Sequence, residues 1–153
     1  MSIHSLKHKL KKGFINCHAH IDRAGTASFF AKEDHKAHLF EKWQLVNKIK
    51  KESTAREYYN RIIEACFSQS SMNISKIISF IDLDDIVGTK ALEGAIKARE
   101  HIRSHGIELY IGNQTIGGFT PNNLKLLEDN IDRLDFLGGL PKSDEDPERH
   151  MDI

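Results

Sequence analysis

Short runs rich in β-branched and aromatic residues alternate along this chain with longer segments that carry apolar residues at helical spacing. That alternation limits the fold more than any other feature. A strand, a helix and a second strand running the same way require a crossover, so repeated strand–helix order builds a parallel sheet covered by helices. "GFINCHAHID", residues 13–22, alternates with a period of two. It predicts a strand with Ile15, Cys17, Ala19 and Ile21 on an apolar face and Asn16, His18, His20 and Asp22 on a polar one. Three further predicted strands lie in "KIISFIDL" (76–83), "IELYIGNQTIGGF" (107–119, running into a Gly-rich turn) and "LDFLGGLPKSD" (134–144).

The segments between them read as helices. Residues 34–51 carry Leu39, Trp43, Val46 and Lys50 along one stripe, widened by Phe40 and Ile49, with Asp34 as the expected N-cap. Thr54 and Glu57 have capping-box spacing, and the helix they open would bury Tyr58, Tyr59, Ile62, Ile63 and Cys66. A third helix is expected from Lys90 to His105, stopped by Gly106. Thr120-Pro121 is an N-cap and first-turn pair opening a fourth, with Leu124, Leu127 and Ile131 inward. Asp146-Pro147 begins a fifth that has under two turns before Ile153, too short to be stable by itself, so the sequence is expected to continue.

Composition excludes several classes. The chain has 153 residues, 39% hydrophobic and 29% charged, which fits one folded domain rather than a disordered segment. Lys+Arg and Asp+Glu both number 22, so there is no excess positive charge to grip nucleic acid. No apolar stretch approaches the roughly 20 residues that span a bilayer, and no apolar segment of a signal peptide follows the basic start. Cys17 and Cys66 lie far apart in apolar contexts and read as two buried free thiols, which implies a cytoplasmic location.

In parallel α/β architectures chemistry collects at the carboxyl ends of the strands. The four predicted ends offer His18, His20 and Asp22; Asp82, Asp84 and Asp85; Asn113, Gln114 and Thr115; and Gly138, Gly139, Pro141 and Lys142. Two residues apart on a strand, His18 and His20 share a face at about 6–7 Å between Cα atoms, close enough to converge on one cation. Neutral imidazole suits zinc, iron, nickel or copper, but two ligands alone do not close a site. The aspartates after the second strand serve equally as caps for the next helix, with Asp82 the best candidate for more. Gln114 is an amide that can both donate and accept, as recognition of a polar heterocycle would need. His101 and His105 have a ligand spacing, yet "IRS" between them lacks the Glu of a metalloprotease helix, and histidine at a helix C-terminus is favoured by the dipole alone. His35 and His38 fall in a first helical turn and read as solvated.

With these residues in view, the chain resembles the amidohydrolase superfamily, and most of all its cytosine deaminase branch. The resemblance rests on "INCHAHID" against an opening H-x-H-x-D strand and on "FIDLD" against a V-D-V-like second strand. It rests further on Gln114 in "YIGNQTIGGF" and on "GGLP", Gly138 to Pro141, against a "GAIP"-like fourth strand. It spans roughly residues 13–152. It implies an α/β fold of the (β/α)₈ TIM-barrel type, of which this chain holds about the first four βα units, a half barrel. Residues 1–12 would be a lead-in and 13–153 the N-terminal half of a metal-dependent hydrolase barrel. His18 and His20 would be the first two ligands of a divalent zinc or iron ion, Gln114 would contact a small-molecule substrate, and Asp22 and Asp82 would support the ligands from behind. The implied reaction is hydrolysis of a C–N bond in a small heterocycle or cyclic amide by hydroxide formed at the ion. The family's other ligands and its catalytic acid belong to strands five, six and eight, so no catalytic residue is assigned here and this chain by itself is expected to be inactive. The open edges of a half barrel also point to a homo-oligomer. Two departures stand out: only twelve residues precede Gly13, where many relatives have part of a β-sandwich, and Phe80 replaces a histidine that some relatives carry. The rival readings are a DNase-type metal-dependent barrel, whose third-strand histidine "IGNQT" lacks, and a non-catalytic fragment.

Overall fold

The first strand stops sooner than its alternation suggests. The computed structural model describes residues 13–29, 38–141 and 148. In it β1 runs Phe14–Ala19, and Ile21–Arg23 turn into a single 3₁₀ turn. Next come α1 (Leu39–Glu52), α2 (Ala55–Ser71), β2 (Ile74–Asp82), α3 (Lys90–Arg103), β3 (Glu108–Gln114) and α4 (Pro121–Glu128). The three strands form one parallel sheet in the order β1-β2-β3. β2 and β3 pair in unbroken register from Lys76–Glu108 to Asp82–Gln114, whereas the β1–β2 register shifts on both sides of Ile15–Asn16.

Local chemistry sets the helix ends. The Thr54 hydroxyl accepts from the Glu57 N–H at 3.3 Å while the Glu57 carboxylate accepts from the Thr54 N–H at 2.7 Å, the reciprocal box expected of that spacing. α1 starts at Leu39, four residues beyond the expected first turn, with His38 at the cap and the Glu41 carboxylate accepting the His38 N–H at 2.8 Å. Asp34 and His35 lie outside the described residues. α3 ends at Arg103, two residues early, and Gly106 at φ +75 takes the left-handed turn that releases the chain toward β3. Thr120 caps α4 by accepting the Asn123 N–H at 3.3 Å, with Pro121 in its first turn.

The core sits between the sheet and the α2–α3 pair. Tyr58, Ile62 and Cys66 of α2, Leu92, Ala95 and Ile102 of α3, and Ile77, Ile81 and Ile111 of the sheet are all buried. The expected apolar face of β1 is corrected here: Ile15 is 55% exposed and Cys17 is exposed, and only Ala19 and Ile21 reach the core. The cause is position. Among the described residues β1 is an edge strand, and α2 packs on β2 and on the Ile21–Arg23 turn rather than over the first half of β1.

The expected fourth strand over 134–144 is also corrected. Among the described residues this segment makes one parallel bridge, Phe136 to Gly112, beside β3. The Asp135 N–H donates to the Ile111 carbonyl at 2.8 Å, and side chains add the rest: the Asp135 carboxylate accepts the Ile111 N–H at 2.7 Å, and the Asn113 amide accepts the Gly138 N–H at 2.9 Å and donates to the Gly138 carbonyl at 3.0 Å. Ile131 falls in a separate 3₁₀ turn and is 45% exposed instead of completing the α4 stripe. The helix expected after Asp146-Pro147 lies outside the described residues except for Glu148.

Candidate functional site

Ser79 is the residue that fixes where the first histidine pair sits. Fully buried on β2, its hydroxyl donates to the Ala19 carbonyl at 3.1 Å and accepts the Ile21 N–H at 3.2 Å. It therefore clasps the backbone on both sides of His20. One turn earlier, the Asn16 amide oxygen accepts the His18 N–H at 3.1 Å while its nitrogen donates to Gln69 on α2 at 2.7 Å. Both histidines are thus held at the carboxyl end of β1 with their rings turned the same way.

Their Nε2 atoms lie 3.2 Å apart. Two imidazoles on one ion, with bonds of about 2.0–2.1 Å and a near-tetrahedral angle, present nitrogens about 3.3 Å apart, so the donor pair fits such an ion. Phe80 of β2 packs on both rings, at centroid distances of 4.9 Å to His18 and 5.8 Å to His20, and Phe136 packs edge-on against Phe80 at 5.1 Å. Burial, then the Arg23 charge and His18, holds His20 below the ordinary histidine range, which keeps its imidazole neutral and able to donate a lone pair.

The histidines line a cleft of about 170 Å³, open to solvent, whose other walls are Phe80, Asn113, Gln114, Thr115 and Gly138–Leu140. The predicted first, third and fourth strand-end clusters therefore meet in one place. Gln114 lies beside His20 and acts on it through a side-chain hydrogen bond, a smaller influence than burial, and Gln114 Oε1 and His20 Nδ1 are both buried. Among the described residues no group of three or more His, Cys, Asp or Glu gathers here, so the donor set is a pair.

The second strand end behaves differently. Asp22 does not share the histidine face: the 3₁₀ turn carries it inward, where it is buried and its Oδ2 accepts the Asp82 N–H at 2.9 Å. Asp82 is fully buried and bound in a fork by Arg23, whose Nε donates to Oδ2 at 2.9 Å and whose other arm reaches Oδ1. Lys50 of α1 pairs with Asp84 and lies 3.6 Å from Asp82. Neither Asp22 nor Asp82 hydrogen-bonds to an imidazole. Burial first, and the Asp82 charge second, push the Asp22 carboxyl up to about 7. Asp84 also accepts the N–H groups of Ile86 and Val87 at 3.1 Å each, the turn-forming role open to it from sequence. Asp85 contributes only its backbone N–H, to Asn123. Lys142 lies outside the described residues.

Ser79, Arg23 and Lys50 were absent from the sequence candidates. Lys50 had one legible sign, a charged residue on an apolar helical stripe. Arg23 and Ser79 had none, because their partners lie 59 and 60 residues away.

No protein-family model matches the chain. A curated protein of Haemophilus influenzae, described as uncharacterized, is 35% identical over 140 residues, covering 88% of this chain and 49% of that protein. The chain thus spans about half the length of the curated relative it matches. Among solved structures, 5-methylcytosine deaminase from Klebsiella pneumoniae, liganded with phosphonocytosine, superposes with a TM-score of 0.78 at 19% identity over 92% of this chain and 34% of that one. N-isopropylammelide isopropylaminohydrolase from Burkholderia multivorans gives a TM-score of 0.73 at 20% identity, over 92% and 36%. The α/β fold with its parallel sheet is therefore the fold of about a third of these hydrolase chains. No helix among the described residues is long and apolar enough to cross a membrane.

Proposed function

We propose that this chain is part of a metal-dependent hydrolase that cleaves a C–N bond of a small heterocycle or cyclic amide, in the manner of a deaminase. The observation that carries the reading is the convergence of His18 Nε2 and His20 Nε2 to 3.2 Å in a cleft that Gln114 also lines. His18 and His20 are the residues that would hold a divalent ion of the zinc or iron type. Such an ion, when bound, lowers the pKa of a coordinated water and so supplies a nucleophile at neutral pH.

The chain's own residues prepare for that chemistry. Ser79 fixes the backbone around His20, and Phe80 restricts the two rings. The lowered His20 pKa keeps protons from competing for its lone pair. Gln114 offers an amide to the polar edge of a planar substrate, and the Gly138–Leu140 segment leaves room for the ring. In this reading residues 13–153 are the front part of a longer barrel, and the relative of about twice the length supports it. The partner is a small molecule rather than nucleic acid or membrane, and the compartment the cytoplasm.

The test is calorimetric titration of the EDTA-stripped protein with Zn(II), comparing the wild type with His18→Ala/His20→Ala. The double variant should lose one class of sites with at least a tenfold drop in its affinity. Identical isotherms for the two proteins would overturn the assignment of the ligands.

A further inference from the structure

A second histidine pair lies at the other end of the molecule. His101 lies in the last turn of α3 and His105 in the turn that follows its end at Arg103, and both are exposed. α3 returns the chain from the carboxyl end of β2 to the amino end of β3, so this pair sits at the opposite end of the sheet from His18 and His20. Its ring centroids are 5.4 Å apart, close to the 5.1 Å of the cleft pair.

The hydrogen bonds around the His105 ring favour one of its nitrogens as the free one. The Ser104 hydroxyl donates to the His101 carbonyl at 2.8 Å, so its single proton is spent. His105 Nδ1 faces that same hydroxyl oxygen at 3.1 Å and the His101 carbonyl at 3.3 Å. Both neighbours present lone pairs, so His105 carries its proton on Nδ1 and leaves Nε2 unprotonated. His101 Nδ1 meets the Tyr59 hydroxyl at 2.5 Å, and a phenol oxygen accepts from a ring N–H as readily as it donates. Neither Nε2 has a hydrogen-bond partner among the described residues. Tyr59 stacks on His101, and Phe67 packs edge-on against both imidazoles, at 6.4 and 5.1 Å. These contacts restrict the rings before any ligand arrives, which lowers the entropy lost on binding.

We propose that His101 and His105 form a separate metal site, a two-imidazole chelate for a borderline divalent ion such as Zn(II) or Cu(II). Imidazole nitrogens suit these ions, and a ring whose second nitrogen donates to a carbonyl or hydroxyl is the usual setting of a ligating histidine. With two protein donors and water in the remaining positions, the ion exchanges freely instead of closing a four-ligand structural site. The proposal is independent of the cleft.

It is tested on the whole chain carrying His18→Ala/His20→Ala, stripped with EDTA, so that the cleft is silent. Substoichiometric Cu(II) should broaden the NMR signals of Tyr59, Phe67, Ser104 and His105 before others. Zn(II) affinity by calorimetry should fall at least tenfold in His105→Ala. His101→Gln should do the same while leaving Tyr59 a hydrogen-bonding neighbour, which separates loss of a ligand from loss of packing. Broadening centred elsewhere, or broadening that persists unchanged in both variants, overturns the site.

Discussion

Asp22 is where a single residue departs most from its sequence reading, and the departure has a measurable consequence. Strict alternation would set it beside His20 at the rim of the cleft. Instead Ile21 turns into the core and draws Asp22 under it, against Asp82. One Asp22 oxygen is satisfied by the Asp82 N–H and the other has no partner. Burial, and after it the Asp82 charge, raise the carboxyl from about 3.9 in an unfolded chain to about 7 in the fold, against the Asp82 N–H bond, which lowers it. A raised folded pKa means that the fold binds the proton more tightly than the unfolded chain does. That contribution is complete below about pH 4, and it is lost as the pH climbs through 7. Asp22→Asn keeps an acceptor for the Asp82 N–H but cannot ionise. Its denaturant midpoint should therefore gain on the wild type between pH 5 and pH 8. A difference that stays constant across that range would mean that Asp22 is charged throughout. None of this was legible in "CHAHID", because the period-two pattern records which residues alternate and not where the strand stops. His18 and Gln114, by contrast, lie within strands that the structure keeps to that point, and His20 directly follows β1.

At the scale of elements, helices were read well because their signals are local. The Thr54–Glu57 box, Gly106 and Thr120-Pro121 each act within a few residues, and each sits where its chemistry requires. The segment after α4 was read less well, since its apolar "LDFLGGL" looks like a strand whether or not a backbone ladder forms. What holds it is one backbone bond, from the Asp135 N–H to the Ile111 carbonyl, side-chain bonding from Asp135 and Asn113, and one close approach. Phe136 lies across Gly112 so tightly that a Cβ there would come within 2.1 Å of the ring. Gly112→Ala must therefore displace Phe136, and with it the packing on Phe80 beneath the two histidines. A loss of about 1–3 kcal/mol is expected from overpacking of this kind. Phe136→Leu in the same protein should recover part of it, because the smaller side chain leaves room for the methyl group. Urea unfolding of the two single variants and the double variant measures the coupling. Strictly additive losses would show that Gly112 is not there to admit the ring.

For the molecule as a whole, the two cysteines report the two halves of its architecture. They read alike in sequence, each a thiol in an apolar run, and the fold separates them. Cys66 lies fully buried between α2 and the sheet, and burial pushes its thiol up to about 12. Cys17 lies on the outer half of β1, which pairs only with β2 among the described residues and is bordered by exposed Phe14 and Ile15. Only the thiolate reacts with a disulfide reagent, so access and pKa together protect Cys66. At pH 8 the native protein should release one equivalent of thiol to Ellman's reagent promptly, and Cys17→Ser should abolish that phase. The second equivalent should appear only as urea approaches the unfolding midpoint, because the core around Cys66 opens with the whole molecule and not by fraying at an end. Two prompt equivalents without denaturant would show that the α2–sheet layer opens separately from the rest. Prompt release that survives Cys17→Ser would place the reactive thiol in the core and overturn the layering itself.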